Sequence, residues 1–236
     1  DYSTPNGKDL LREMHITEDK SWYNRPICPN EEQTVYTFPM HNWTGIYKID
    51  FLNKNSIRYN TTPGAYYQDN GFFFRCFSLA KSLVYVPRHF YAYRIDNPGS
   101  SINNPKKVYA MTEEYSFIRK NLESDGLWDK LKTVYYNRLF RAMNETYLRI
   151  SPDYKKEYAD FFVSEMKQAA THGLDEKLFS ERELLLYKTL LISKEKYAII
   201  SGDKKTPYKA VVWIYCNLRC FGFSKTLKRI KGKIIK

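Results

Sequence analysis

The sequence has little cysteine and no long apolar run. Cys28, Cys76, Cys216 and Cys220 are too few and too scattered for a disulfide framework or a paired-thiol metal knuckle. Only Cys216 and Cys220 lie close together, and a four-residue spacing makes them neighbours on one helix face. The four read as reduced thiols of a cytosolic protein. No stretch reaches the roughly 18 uncharged apolar residues of a membrane span. Nothing N-terminal resembles a signal peptide, so the glycosylation sequons beginning at Asn42, Asn60 and Asn144 read as chance. The chain also lacks a Gly-rich phosphate loop, a nucleotide-binding βαβ unit, an Asp-x-Asp metal motif, GxSxG, HExxH and paired CxxC. Internal repeats and low-complexity segments are absent too.

Acidic residues are missing from one region in particular. Residues 204–236 hold ten Lys and Arg and no Asp or Glu, which is most of the net charge of +12. The other 203 residues are close to neutral, so the charge marks one end of the chain rather than a basic fold. With 236 residues, 43% of them hydrophobic and 17% aromatic, the chain has enough apolar material for a sizeable core.

Three textures follow one another. Residues 1–40 are polar and broken by Pro5, Pro26, Pro29 and Pro39, which suits loop with short helices. Residues 41–104 predict a short helix near 45–53, a Pro63-Gly64 turn, a helix from about Asp69 to Lys81, and one or two Val- and Tyr-rich strands in "SLVYVPRHFYAYR" interrupted by Pro87. From Lys107 onward, apolar residues recur at three- and four-residue spacing, predicting successive helices with starts at Ser151-Pro152 and Ser180-Glu181.

The order Trp43, Ile46, Tyr47, Lys48, then Pro63-Gly64-Ala65, Gln68-Asp69, Tyr93-Arg94 and Asp96-Asn97-x-x-Ser100-Ser101 resembles the acceptor-side half of family 2 glycosyltransferases. The likeness covers residues 41–123 and is nearest to bacterial members that assemble capsule, lipopolysaccharide and related surface glycans. It implies an α+β fold: the C-terminal part of a GT-A domain, short strands plus helices, over residues 1–104. A mainly helical region (105–203) and a basic amphipathic tail (204–236) would follow. It also implies inverting transfer from a nucleotide-sugar donor to a glycan or lipid-linked acceptor, assisted by Mg²⁺ or Mn²⁺. Asp69 takes the role of general base. The donor-binding strand–helix units and the Asp-x-Asp of the family are not encoded here, so the expectation is the acceptor-side portion of a longer enzyme, inactive by itself.

Each site residue has a plainer reading beside the catalytic one. Asp69 precedes Phe72-Phe73-Phe74, and an Asp before an apolar run is also a favoured helix cap; the same phenylalanines would raise its basicity by desolvation if they face it. Trp43 is either core or a stacking platform for a sugar ring. Arg94 either pairs with an ordinary carboxylate or, beside Asp96, Asn97 and Ser100, meets a phosphate through its planar fork. His89 reads as a surface or packed histidine. Gln68 stands where the family more often has Glu. In the tail, "AVVWIYCNL" is too short to span a bilayer but long enough to lie in its interface, with Lys225, Lys228, Arg229, Lys231 and Lys233 toward anionic lipid. This suits a protein of the cytoplasm or the inner face of the cell membrane. The alternative is a basic nucleic-acid-binding or helical interaction module, in which lysines interleaved with Tyr and Trp meet single strands.

Overall fold

In this computed structural model the described residues are 17–39, 44–63, 67–88, 90–91 and 107–234, with side chains to 232. Their regular structure is helical: α1 (Ile49–Lys54), α2 (Gln68–Leu79), α3 (Ala110–Ser124), α4 (Trp128–Arg149), α5 (Pro152–His172), α6 (Glu181–Ile192), α7 (Lys194–Ser201) and α8 (Lys209–Ile234). Short 3₁₀ turns occupy Lys20–Trp22, Gln33–Thr37 and Glu176–Leu178.

The expected α+β class does not hold, because no strand forms among the described residues. The segment expected to be strand makes two isolated bridges instead, Leu83 to Ile27 and Tyr85 to Tyr23. Ile27 and Leu83 exchange N–H···O bonds of 2.8 and 2.9 Å, and Asn24 N–H reaches Tyr85 O at 2.8 Å. The ladder stops there for local reasons. Asn24 sits at a left-handed φ of 57°, Pro26 has no N–H to donate, and Pro87 follows on the other segment. The helix expected from residue 45 starts later, at Ile49, and the one expected from Asp69 runs over Gln68–Leu79.

The chain divides into two compact units, one of Asp1–Asn103 with Glu113–Leu131 and one of Asn104–Thr112 with Lys132–Lys236. In the first, α2 is buried around most of its girth, because Phe72, Phe73, Phe74, Cys76 and Phe77 point in several directions and each finds a partner. Phe74 packs on Tyr36 with ring centroids 5.1 Å apart, Phe73 stacks on Phe77 at 4.0 Å, and Phe72 stacks on Tyr59 at 4.3 Å. From α3, Tyr115, Ile118 and Leu122 add their fully buried faces. Arg75 on α2 pairs with Asp125 at 3.3 Å, both half-buried.

In the second unit α6 packs against α5, α7 and α8, and the C-terminal part of α4 meets α5, α6 and α7 through Phe140 and Tyr147. Phe140 is its centre, meeting Phe162, Phe179 and Tyr187 at 5.6, 4.9 and 5.8 Å. Local signals agree with this packing. Pro152 takes the first turn of α5, and Ser180 with Glu183 forms a complete capping box on α6. Glu183 also holds Arg141 of α4 at 2.6 Å, so one carboxylate both caps α6 and ties it to α4.

Helix α8 is broken at Gly222, where φ 76° and ψ 175° leave the helical region altogether. The break turns the chain back on itself. Arg229 donates to Asn217 Oδ1 at 2.8 Å and to Glu181 O at 3.2 Å, and its guanidinium lies 4.0 Å from the Phe221 ring centre. Twelve residues of straight helix would separate Asn217 from Arg229 by about 18 Å, so their contact requires two arms. That backbone region is nearly exclusive to glycine, and a Cβ on Gly222 would meet nothing. Gly222→Ala is therefore expected to lose about 1–3 kcal/mol through backbone strain alone. Gly232→Ala, in helical backbone with open space around it, should gain roughly 0.5–1 kcal/mol. Urea unfolding measures both, and equal effects of the two substitutions would refute a glycine-dependent break.

Candidate functional site

The first unit brings together, at the start of α2, a set of polar groups drawn from three stretches of chain. Tyr67, at φ 66°, is the N-cap of α2, so Asp69 stands at the second helical position and is not the capping residue. It is half-buried in the first turn, where the helix dipole favours an anion, and accepts from Asn70 Nδ2 at 3.3 Å. Gln68 donates through Nε2 to both the carbonyl and the hydroxyl oxygen of Thr62, each at 3.0 Å. A glutamate could not make that pair of bonds, since an ionised carboxylate only accepts. Gln68 thus ties the segment before α2 onto its first turn.

The second carboxyl of the site comes from α3. Glu114 is 1% exposed; its Oε1 accepts from the Gly71 backbone N–H at 3.1 Å and its Oε2 from Asn60 Nδ2 at 2.9 Å. Only glycine admits this approach. A Cβ at position 71 would lie 2.0 Å from Glu114 Oε1 and 3.0 Å from the Phe117 ring. Burial pushes the Glu114 carboxyl above its ordinary value, and the neighbouring Asp69 charge adds to that, while the bonds from Asn60 and Gly71 oppose it. The three phenylalanines turn into the core, where Phe72, Phe73 and Phe74 meet Tyr59, Phe77 and Tyr36. Two carboxyls in contrasting surroundings are the arrangement from which acid and base roles separate.

Sequence reasoning passed over Glu114, although a signal was present. In α3 it lies three residues after Met111 and four before Ile118, on the stripe that Leu122 continues. A carboxylate inside an apolar stripe is buried with a partner or not at all. Trp43, Arg94, Asp96, Asn97, Ser100 and His89 lie outside the described residues, as does the side chain of Lys233. Lys225, Lys228 and Lys231 are exposed on α8, whereas Arg229 is held inward by Asn217, Phe221 and Glu181, its side chain only 14% exposed.

The described residues contain no group of three or more His, Cys, Asp or Glu placed to hold a metal. None of the described helices is long and apolar enough to cross a membrane. The second unit has an open cavity of about 320 Å³ bordered by Asn144, Ser180, Arg182, Glu183 and Ser201. Its carboxylate is already committed to Arg141 and to the α6 cap. Compared with known proteins, the chain matches no family model, no curated protein and no solved structure.

Glu114 and Gly71 make two expectations. Gly71→Ala should displace the carboxylate from its only approach and lose about 1–3 kcal/mol, as overpacking of a filled site does. For pH, the sign follows from the raised folded-state value. The folded protein keeps this proton to higher pH than the unfolded chain, so the group favours folding while protonated and loses that contribution as pH rises from about 4.5 through its folded pKa. Glu114→Gln is neutral throughout. Its stability relative to the native protein should therefore increase from pH 4.5 to neutrality, in urea unfolding curves taken at both. A constant difference would mean that Glu114 ionises as freely folded as unfolded.

Proposed function

We propose that the first unit is the acceptor-side portion of an inverting nucleotide-sugar glycosyltransferase, with Asp69 as general base. The observation that carries the reading is the placement of Asp69, half-exposed on the first turn of α2 beside a buried carboxyl that burial drives toward its neutral form. In the proposed step an acceptor hydroxyl gives its proton to the Asp69 carboxylate as its oxygen attacks the anomeric carbon, and the bond to the nucleotide diphosphate breaks. Glu114 acts through position, fixing α2 against α3 by its bond to Gly71. Gln68 does the same for the segment that ends in Thr62. The donor-binding units and the metal-holding Asp-x-Asp are not among these 236 residues, so the chain supplies one half of the reaction. Surface-glycan assembly is the proposed setting, in the cytoplasm or at the inner face of the cell membrane. The helical second unit, with no strand among the described residues, supports a second reading in which the chain is an interaction module.

Calorimetry with UDP-, GDP- and CMP-sugars is expected to give weak binding or none for the chain alone, while acceptor saccharides bind; binding of neither class would favour the interaction module. In an enzyme that also carries the donor half, Asp69→Asn should lower turnover by roughly 10²–10⁴, the usual worth of a placed general base. Because Tyr67 is the cap, the stability change should stay within the roughly 0.3–1 kcal/mol of a dipole contact. Near-normal transfer by the Asn variant would remove Asp69 from the mechanism.

A further inference from the structure

Helix α8 is apolar on two sides, and only one of them is covered. Cys216 and Asn217 are buried and Cys220 is half-buried, on the side that packs against α6 and α7. Val211, Ile214, Tyr215 and Leu218 recur at i, i+3, i+4 and i+7, so they share one stripe, and all four are exposed, Val211 by 64%. Beyond the break at Gly222, Phe223 (74% exposed) and Leu227 stand one turn apart, with Lys231 a further turn on. The charges that α8 itself carries have one sign, and Glu181 of α6, 3.5 Å from Arg229, is the acidic side chain beside them. Arg219, Lys225, Lys228 and Lys231 are exposed, Lys196 of α7 lies 5.0 Å from the Tyr215 ring, and no acidic residue occurs from 204 onward.

From these faces we infer that the α8 hairpin is a docking surface for an anionic phospholipid bilayer, lying in the plane of its interface. The partner must accept aliphatic side chains and cations together. A bilayer interface does so, because acyl chains take Val211, Ile214 and Leu218 while phosphate headgroups meet the lysines. Single-stranded nucleic acid would use stacking rings, and in the stripe of Val211, Ile214, Tyr215 and Leu218 one side chain of the four is a ring. Arg229 serves differently from the cations around it. Its bond to Asn217 holds the two arms together and its bond to Glu181 ties the second arm to α6, so it shapes the surface instead of touching lipid. The inference sharpens the membrane-face setting proposed above and does not rest on the sugar-transfer chemistry, which concerns a different unit and different residues.

Co-sedimentation of the full chain with vesicles tests it. Partition onto vesicles containing about one-third phosphatidylglycerol should exceed that onto pure phosphatidylcholine by about tenfold or more, and should fall with added salt. Two variants divide the contributions: Ile214→Ser with Leu218→Ser, and Lys225→Glu with Lys228→Glu and Lys231→Glu. Each changes only exposed side chains, so circular dichroism and thermal unfolding should match the native protein while partition drops by about tenfold or more. Equal partition onto neutral vesicles, or no partition at all, would overturn the proposal. So would loss of the exposed stripe into a dimer seen by sedimentation, or salt-dependent binding to a single-stranded oligonucleotide with no vesicle binding.

Discussion

The first unit depends on a backbone N–H meeting a buried carboxylate. Glu114 enters the core from α3 and bonds to the Gly71 amide of α2, which is possible only because position 71 carries no side chain. A buried carboxyl without donors would be costly; with Gly71 and Asn60 donating, it becomes the junction of α2, α3 and the segment leading to α2. The placement of Asp69 follows from the same contact. Two residues before Gly71, it is presented on the helix turn that Glu114 fixes.

Aromatic packing carries most of the remaining cohesion. The rings of Phe72, Phe73, Phe74 and Phe77 in one unit, and of Phe140, Phe162, Phe179 and Tyr187 in the other, meet at edge-to-face or offset distances. Polar contacts then set angles between helices that burial alone would leave loose. Arg141 with Glu183 does so between α4 and α6, and Tyr197 with Asn144 Oδ1, at 2.6 Å, between α7 and α4.

The helices from residue 107 onward were legible because periodicity, Pro152 and the Ser180 box all point the same way. Among the described residues of 82–91 the expected strands do not form, because Val and Tyr favour extended backbone without supplying a partner ladder. Here Asn24, Pro26 and Pro87 limit pairing to single bridges. The motif singles out Asp69 and propensity reads it as a cap, whereas its position in the second place of α2 depends on Tyr67 adopting a left-handed cap, which no propensity rule favours. Glu114 and the inward turn of Arg229 share one cause of illegibility. Each is defined by a partner 43 or more residues away or across a break in a helix, and neither separation is visible in local pattern.

The first unit is assembled from two pieces of chain, with Asn104–Thr112 assigned to the other unit between them. Its closing contacts are distant in sequence: Gln33 donates to Lys130 O at 2.9 Å, and Lys130 pairs with Glu31 at 2.6 Å. During synthesis, then, the N-terminal stretch has to wait until residue 130 has left the ribosome before its last bonds can form, whereas much of the second unit joins helices that follow one another directly. Loop-closure entropy makes the first the slower to reach its native contacts. A nascent chain that has not yet reached residue 131 would leave the side of α2 that meets α3 uncovered, a natural site for chaperone capture.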